Sequence, residues 1–162
     1  MTIEDGTGLE DANSYCDVAS ADSYHETRGN EDWAAETTAK RDAALVRACD
    51  YLERAYGRLW KGARSNEKQR LSFPRYGIEE LACTTIPPRL IEAQCEAAIL
   101  ELREPGILSE DGSEGGSLSE LKEGEVTKRF NAGTATARRF GTLAGILAPY
   151  LNNPAQMGIK RV

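Results

Sequence analysis

Apolar residues return every three or four positions through "ETTAKRDAALVRACDYLERAYG", at Leu45, Cys49, Leu52 and Tyr56, with Ala48 and Ala55 widening the stripe. That spacing lays one continuous apolar face along an α-helix. Thr37 or Thr38 supplies the capping hydroxyl at its start and Gly57 a terminator at its end. The same period recurs in "IPPRLIEAQCEAAILELREPG" through Ile91, Cys95, Ala98, Ile99 and Leu102. Here proline sits in the first turn, where its missing amide hydrogen costs nothing, and Pro105 with Gly106 closes the helix. Two such stripes predict a pair of helices packed on each other as the main core.

Weaker periodicities fill in the rest. In "DVASADSYHETRG" Ser20 is placed to cap a helix of two or three turns carrying Tyr24, and Gly29 falls where a left-handed stop belongs. A last helix is predicted over "RFGTLAGILAPYL" from Phe140, Leu143, Ile146, Leu147, Tyr150 and Leu151, with a kink at Pro149. "SELKEGEVTKRF" reads as two short strands turning at Gly124. The fold class is therefore mainly α: about four helices in a small bundle, with a minor β-hairpin and extended termini. One domain spans 1–162, with an acidic amino-terminal arm over 1–17, a flexible Gly/Ser/acidic loop over 106–119 and a basic tail over 152–162.

The net charge of −6 conceals a block pattern. From Met1 to Glu36 ten carboxylates meet one arginine, whereas from Arg58 to Tyr76 six basic residues meet only Glu67. Between Glu101 and Glu125 acids outnumber bases eight to two, and from Val126 onward there are six bases and no acid. Such blocks are either solvated surface or complementary ends that join copies of the chain head to tail.

No stretch approaches the roughly 20 consecutive apolar residues of a membrane span, and the acidic start lacks the features of a signal peptide, so a cytosolic site of synthesis and no membrane partner are expected. Four cysteines, Cys16, Cys49, Cys83 and Cys95, stand far apart with one histidine, His25, which gives no zinc spacing. Within the two long stripes Cys49 and Cys95 read as small, reduced core groups. "EDGTGLEDANS" lacks the ligand spacing of a calcium loop, and neither G-x-x-x-x-G-K-[ST] nor G-x-G-x-x-G is present. No cofactor, no metal and no catalytic residue is expected, and the chain reads as a non-enzyme.

One stretch carries recognition chemistry. "YGRLWKGARSNEKQRLSFPRYG" interleaves Tyr56, Trp60, Phe73 and Tyr76 with six positive charges. Aromatics beside a basic groove hold single-stranded nucleic acid by stacking, which makes Trp60, Lys61, Arg64, Arg70 and Arg75 candidate nucleic-acid contacts. Aromatics around a proline turn between two helices also serve as core caps with basic stems lying over the rings. The second reading is preferred: Phe73 inward, with Arg75 or Tyr76 offered to a partner.

"EDGTGLEDANSYCDVASADSYHETRGNEDW", "ALVRACDYLERAYGRLWKGARS", "LSFPRYG" and "IPPRLIEAQCEAAILEL", in that order, resemble a family of small tailed-bacteriophage proteins. These are labelled DnaT-like single-stranded-DNA-binding proteins, and their architecture is similar to head–tail connectors of the phage neck. The resemblance implies a structural connector: a dodecameric ring beneath the portal protein, joining the head to downstream tail or stopper proteins. Double-stranded DNA would pass through it without sequence-specific contact. The location implied is the virion neck, after synthesis in the host cytoplasm. Interface residues toward the portal or a neighbouring subunit are then expected among Arg64, Arg75, Tyr76, Lys128, Arg129, Arg138, Arg139, Lys160 and Arg161. The alternative is a single-stranded-DNA-binding module of replication.

Overall fold

The computed structural model describes residues 1–109 and 140–152 in full, and 120–123 and 126–129 as backbone. The chain is mainly helical, with α1 (Val18–Glu26), α2 (Glu31–Ala34), α3 (Thr38–Tyr56), α4 (Pro88–Arg103) and α5 (Gly141–Leu147). Two antiparallel strand pairs accompany them: β1 (Ala63–Arg64) with β2 (Arg75–Tyr76), and β3 (Glu120–Glu123) with β4 (Val126–Arg129).

The long helices start and stop where their sequence directs. Thr37 caps α3 by accepting from the Lys40 amide at 3.4 Å, and Gly57 ends it. Pro88 opens α4 at its first position. Asp17, rather than Ser20, caps α1: its carboxylate accepts from the Ser20 amide at 2.8 Å, and the Ser20 hydroxyl first, then this amide, hold its pKa below the ordinary carboxylate value. A carboxylate answers the positive end of the helix better than a hydroxyl does. The one-turn α2 has too few residues to show a period in the sequence.

Leu45, Ala48, Cys49 and Leu52 of α3 are buried, as are Leu90, Ala93, Ala97 and Ala98 of α4. The alanines let the two backbones approach closely, while each buried leucine contributes about 1.5–3 kcal/mol from removed apolar surface. Leu143 and Leu147 bring α5 onto the same core. After α5 the helix tightens into a 3₁₀ turn, Ala148–Tyr150, at the expected Pro149 position. Leu151 then pairs with Trp60 as an isolated antiparallel bridge.

Polar side chains inside this core tie separate segments together. Gln94, fully buried, donates to the Ser14 hydroxyl at 2.7 Å and the Leu45 carbonyl at 2.9 Å, and accepts from the Tyr15 amide at 2.9 Å. Glu101 accepts from the Gly106 and Leu108 amides and pairs with Arg47 at 3.2 Å, closing the end of α4. At the amino end the buried Glu4 carboxylate accepts from the amides of Gly6, Gly8 and Leu9. The acidic segment 1–17 thus lies folded on the domain: Gly6 has φ +96°, and a Cβ there would stand 2.0 Å from the Thr84 carbonyl oxygen.

The pairing of Glu123 with Val126 brackets the expected turn at Gly124, which itself lies outside the described residues. Most of the Gly/Ser/acidic loop (110–119) and of the basic tail (153–162) also falls outside them.

Candidate nucleic-acid interface

The loop from Arg58 to Tyr76 has a dry inside and a charged outside. Inside, Trp60 and Phe73 are 3 % and 0 % exposed and meet edge to face, ring centroids 5.1 Å apart, with Tyr56 packed on Trp60 at 6.0 Å. Leu71 and Ile78 complete this floor. Burying large rings beside α3 is what lets a loop with little hydrogen-bonded secondary structure hold one shape.

Three polar groups, Glu53 half-buried and Gln69 and Arg75 buried, fix the loop further. Glu53, on α3, accepts from the Ser72 hydroxyl at 2.6 Å, the Ser72 amide at 3.1 Å and the Tyr15 hydroxyl at 2.6 Å. Burial first, and then the Glu53 charge, pushes the Tyr15 phenol well above its ordinary pKa, so it remains a donor. Gln69 donates to the Leu71 and Pro74 carbonyls and accepts from the Asn66 amide. Arg75 spends its guanidinium on three backbone carbonyls: Nε to Lys61 and Nη2 to Gly62, both at 2.7 Å, and Nη1 to Ser72 at 3.1 Å.

Two expected contacts are corrected by this arrangement. Trp60 is sealed in the core, so its face is not available to a base. Arg75 is 8 % exposed and turned inward, so it offers nothing to a phosphate or a partner; burial, and next the Arg64 charge, lower its pKa from the ordinary arginine value. Inward and outward arginines look the same in a sequence: Arg75 is buried, whereas Arg64 is exposed and donates once, from Nη1 to the Gln69 carbonyl at 3.4 Å.

The outer layer holds Arg58, Arg64, Lys68 and Arg70, all exposed, with Lys61 half-buried and its Nζ donating to the Pro149 carbonyl at 2.7 Å. Two of these cations have carboxylate neighbours from other segments: Lys68 lies 3.5 Å from Glu10, and Arg70 lies 3.7 Å from Asp50. Tyr76 stands out of the same loop, 56 % exposed. Of the remaining expected interface residues, Lys128 and Arg129 fall on β4 opposite Leu121 and Glu120, without described side chains. Arg138, Arg139, Lys160 and Arg161 lie outside the described residues.

A separate concavity of about 420 Å³ sits between α1, α2 and the start of α3. Asp22, Glu26 and Glu31 face a single cation, Arg41, there, and Arg41 already pairs with Asp22 at 2.8 Å. A phosphate chain would be repelled from it. Among the described residues no group of three His, Cys, Asp or Glu side chains is placed to hold a metal ion.

The structure is thus mainly helical, with one basic loop displayed on a buried aromatic floor. The chain belongs to the family described as "Putative DnaT-like ssDNA binding protein", whose model matches residues 1–162. No curated protein and no solved structure matches it. The family match overturns the head–tail connector reading: it spans the whole chain and describes single-stranded DNA binding, which is the alternative function and not the structural one.

Proposed function

We propose that this chain binds single-stranded DNA through the exposed face of the loop from Arg58 to Tyr76. The observation that carries the reading is the separation of the loop's two layers. Trp60, Phe73 and Arg75 build the fold, while Arg58, Arg64, Lys68 and Arg70 stand exposed toward solvent, with Glu67 as the one acid in the segment and only exposed carboxylates paired to Lys68 and Arg70. Family membership supports the same ligand. A net charge of −6 does not oppose it, because Coulomb interactions beyond a Debye length of about 8–10 Å are largely screened at physiological salt, and the local block decides.

Neutralising phosphates releases counterions, so binding must weaken with salt, and each lost contact on a single strand reduces the slope of log K against log salt by about 0.7. Fluorescence anisotropy of a labelled oligothymidylate, titrated at several salt concentrations, tests this. Arg64→Ala with Arg70→Ala should weaken binding and flatten the slope by about 1.4 if each arginine meets one phosphate. Native protein that binds with no salt dependence, or a double variant indistinguishable from it, would refute the assignment.

A further inference from the structure

We propose that Tyr76 is the base-stacking residue of this surface and makes it choose unpaired nucleotides over duplex; this rests on the single-stranded-DNA reading above. Among the described residues every other aromatic side chain is buried or half-buried. Tyr76 alone of these is exposed, and it sits in the basic loop. Cations by themselves do not distinguish a single strand from a duplex, since both present phosphates. An open aromatic face does, because only an unpaired base can leave its neighbours and lie on the ring.

Stacking needs a ring held in place, and the surroundings of Tyr76 supply that. Its backbone lies in β2, opposite Ala63. The adjacent residue, Arg75, pins the two strands through its bonds to the Lys61 and Gly62 carbonyls. On the facing segment Gly62 has φ +67°, and a Cβ there would stand 2.1 Å from the Tyr76 carbonyl oxygen, so the chains are in close contact. Gly77, at φ +78°, turns the chain away immediately afterwards and leaves the ring uncovered.

The test compares one oligonucleotide sequence, single-stranded and annealed, against the native chain, Tyr76→Ala and Tyr76→Trp, by anisotropy, with a melting curve for each protein. Tyr76→Ala should lose about tenfold or more on the single strand and little on the duplex. Its salt slope should match that of the native chain, because no phosphate contact is removed. Tyr76→Trp should restore the preference. Its added emission should be quenched by the oligonucleotide, a clear signal because Trp33 and Trp60 are 2 % and 3 % exposed. Native binding to single strands with an unchanged Tyr76→Ala, or an equal loss on both DNA forms, would overturn the inference and leave the parent reading standing. Native protein that binds no single strand at low salt ends both.

Discussion

Removing the Glu53 carboxylate tests the claim that the basic loop is held from within. Glu53→Ala deletes three hydrogen bonds and leaves the Tyr15 hydroxyl and the Ser72 hydroxyl and amide without that acceptor, with both residues almost fully buried. A hydrogen bond to a charged group contributes about 1.5–3 kcal/mol, and orphaned buried donors cost about 1–3 kcal/mol each. The three bonds share one carboxylate and do not add, so the net loss should be about 3–5 kcal/mol. In a chain of 162 residues each kcal/mol lowers the melting temperature by roughly 2–4 °C, which makes the expected drop about 6–20 °C. Urea denaturation followed by circular dichroism measures the free energy, and a double-mutant cycle with Ser72→Ala isolates the pair. A loss below about 1 kcal/mol, or a cycle with no coupling, would show that the aromatic floor alone sets the loop and that the polar staple is incidental.

Gly62→Ala should destabilise the chain by about 2 kcal/mol or more, read from the same denaturation curves, because it combines φ +67° with a Cβ placed 2.1 Å from the Tyr76 carbonyl oxygen. Burial lowers the pKa of His25 from 6.5, so the fold retains the neutral ring while the unfolded chain takes up a proton. This part of the stability is complete above about pH 6.5 and drains away as pH falls toward the folded value; melting temperatures between pH 5 and 8 should show that slope in the native chain and lack it in His25→Gln. Glu10→Gln frees Lys68 from its exposed partner and should raise affinity for the oligothymidylate in the anisotropy assay while leaving the melting temperature nearly unchanged, as expected for a surface pair.

The helices were largely readable because each signals itself locally. α3 and α4 carry a complete apolar stripe between recognisable ends, and α5 keeps its period despite two glycines. The interior polar groups were not readable. Gln94, Glu53 and Glu101 look like surface residues in composition, and only the crossing of α3, α4 and the amino-terminal segment brings their partners within reach. The basic loop stands out in the sequence, yet local spacing does not sort its residues. Trp60 and Tyr76 are both aromatics beside cations; the difference lies in which side of the loop faces α3 and the Leu151 bridge, a long-range contact that local spacing does not encode. Arg75 and Arg64 likewise differ through the fold: the carbonyls of Lys61, Gly62 and Ser72 converge on the buried Arg75, while the exposed Arg64 reaches the Gln69 carbonyl alone among the described contacts.

The manner in which the first sixteen residues are bound has a practical side. Ile3 bridges to Ser14, Glu4 organises the turn after it, Arg70 donates its amide to the Leu9 carbonyl, and Gln94 reaches Ser14 and Tyr15 from the centre of the molecule. A fusion partner attached at the half-uncovered Met1 would be harmless, whereas shaving the amino end by even a dozen residues would pull a plug from the interior. Anyone seeking a smaller working fragment for crystallisation or display has to leave this end whole.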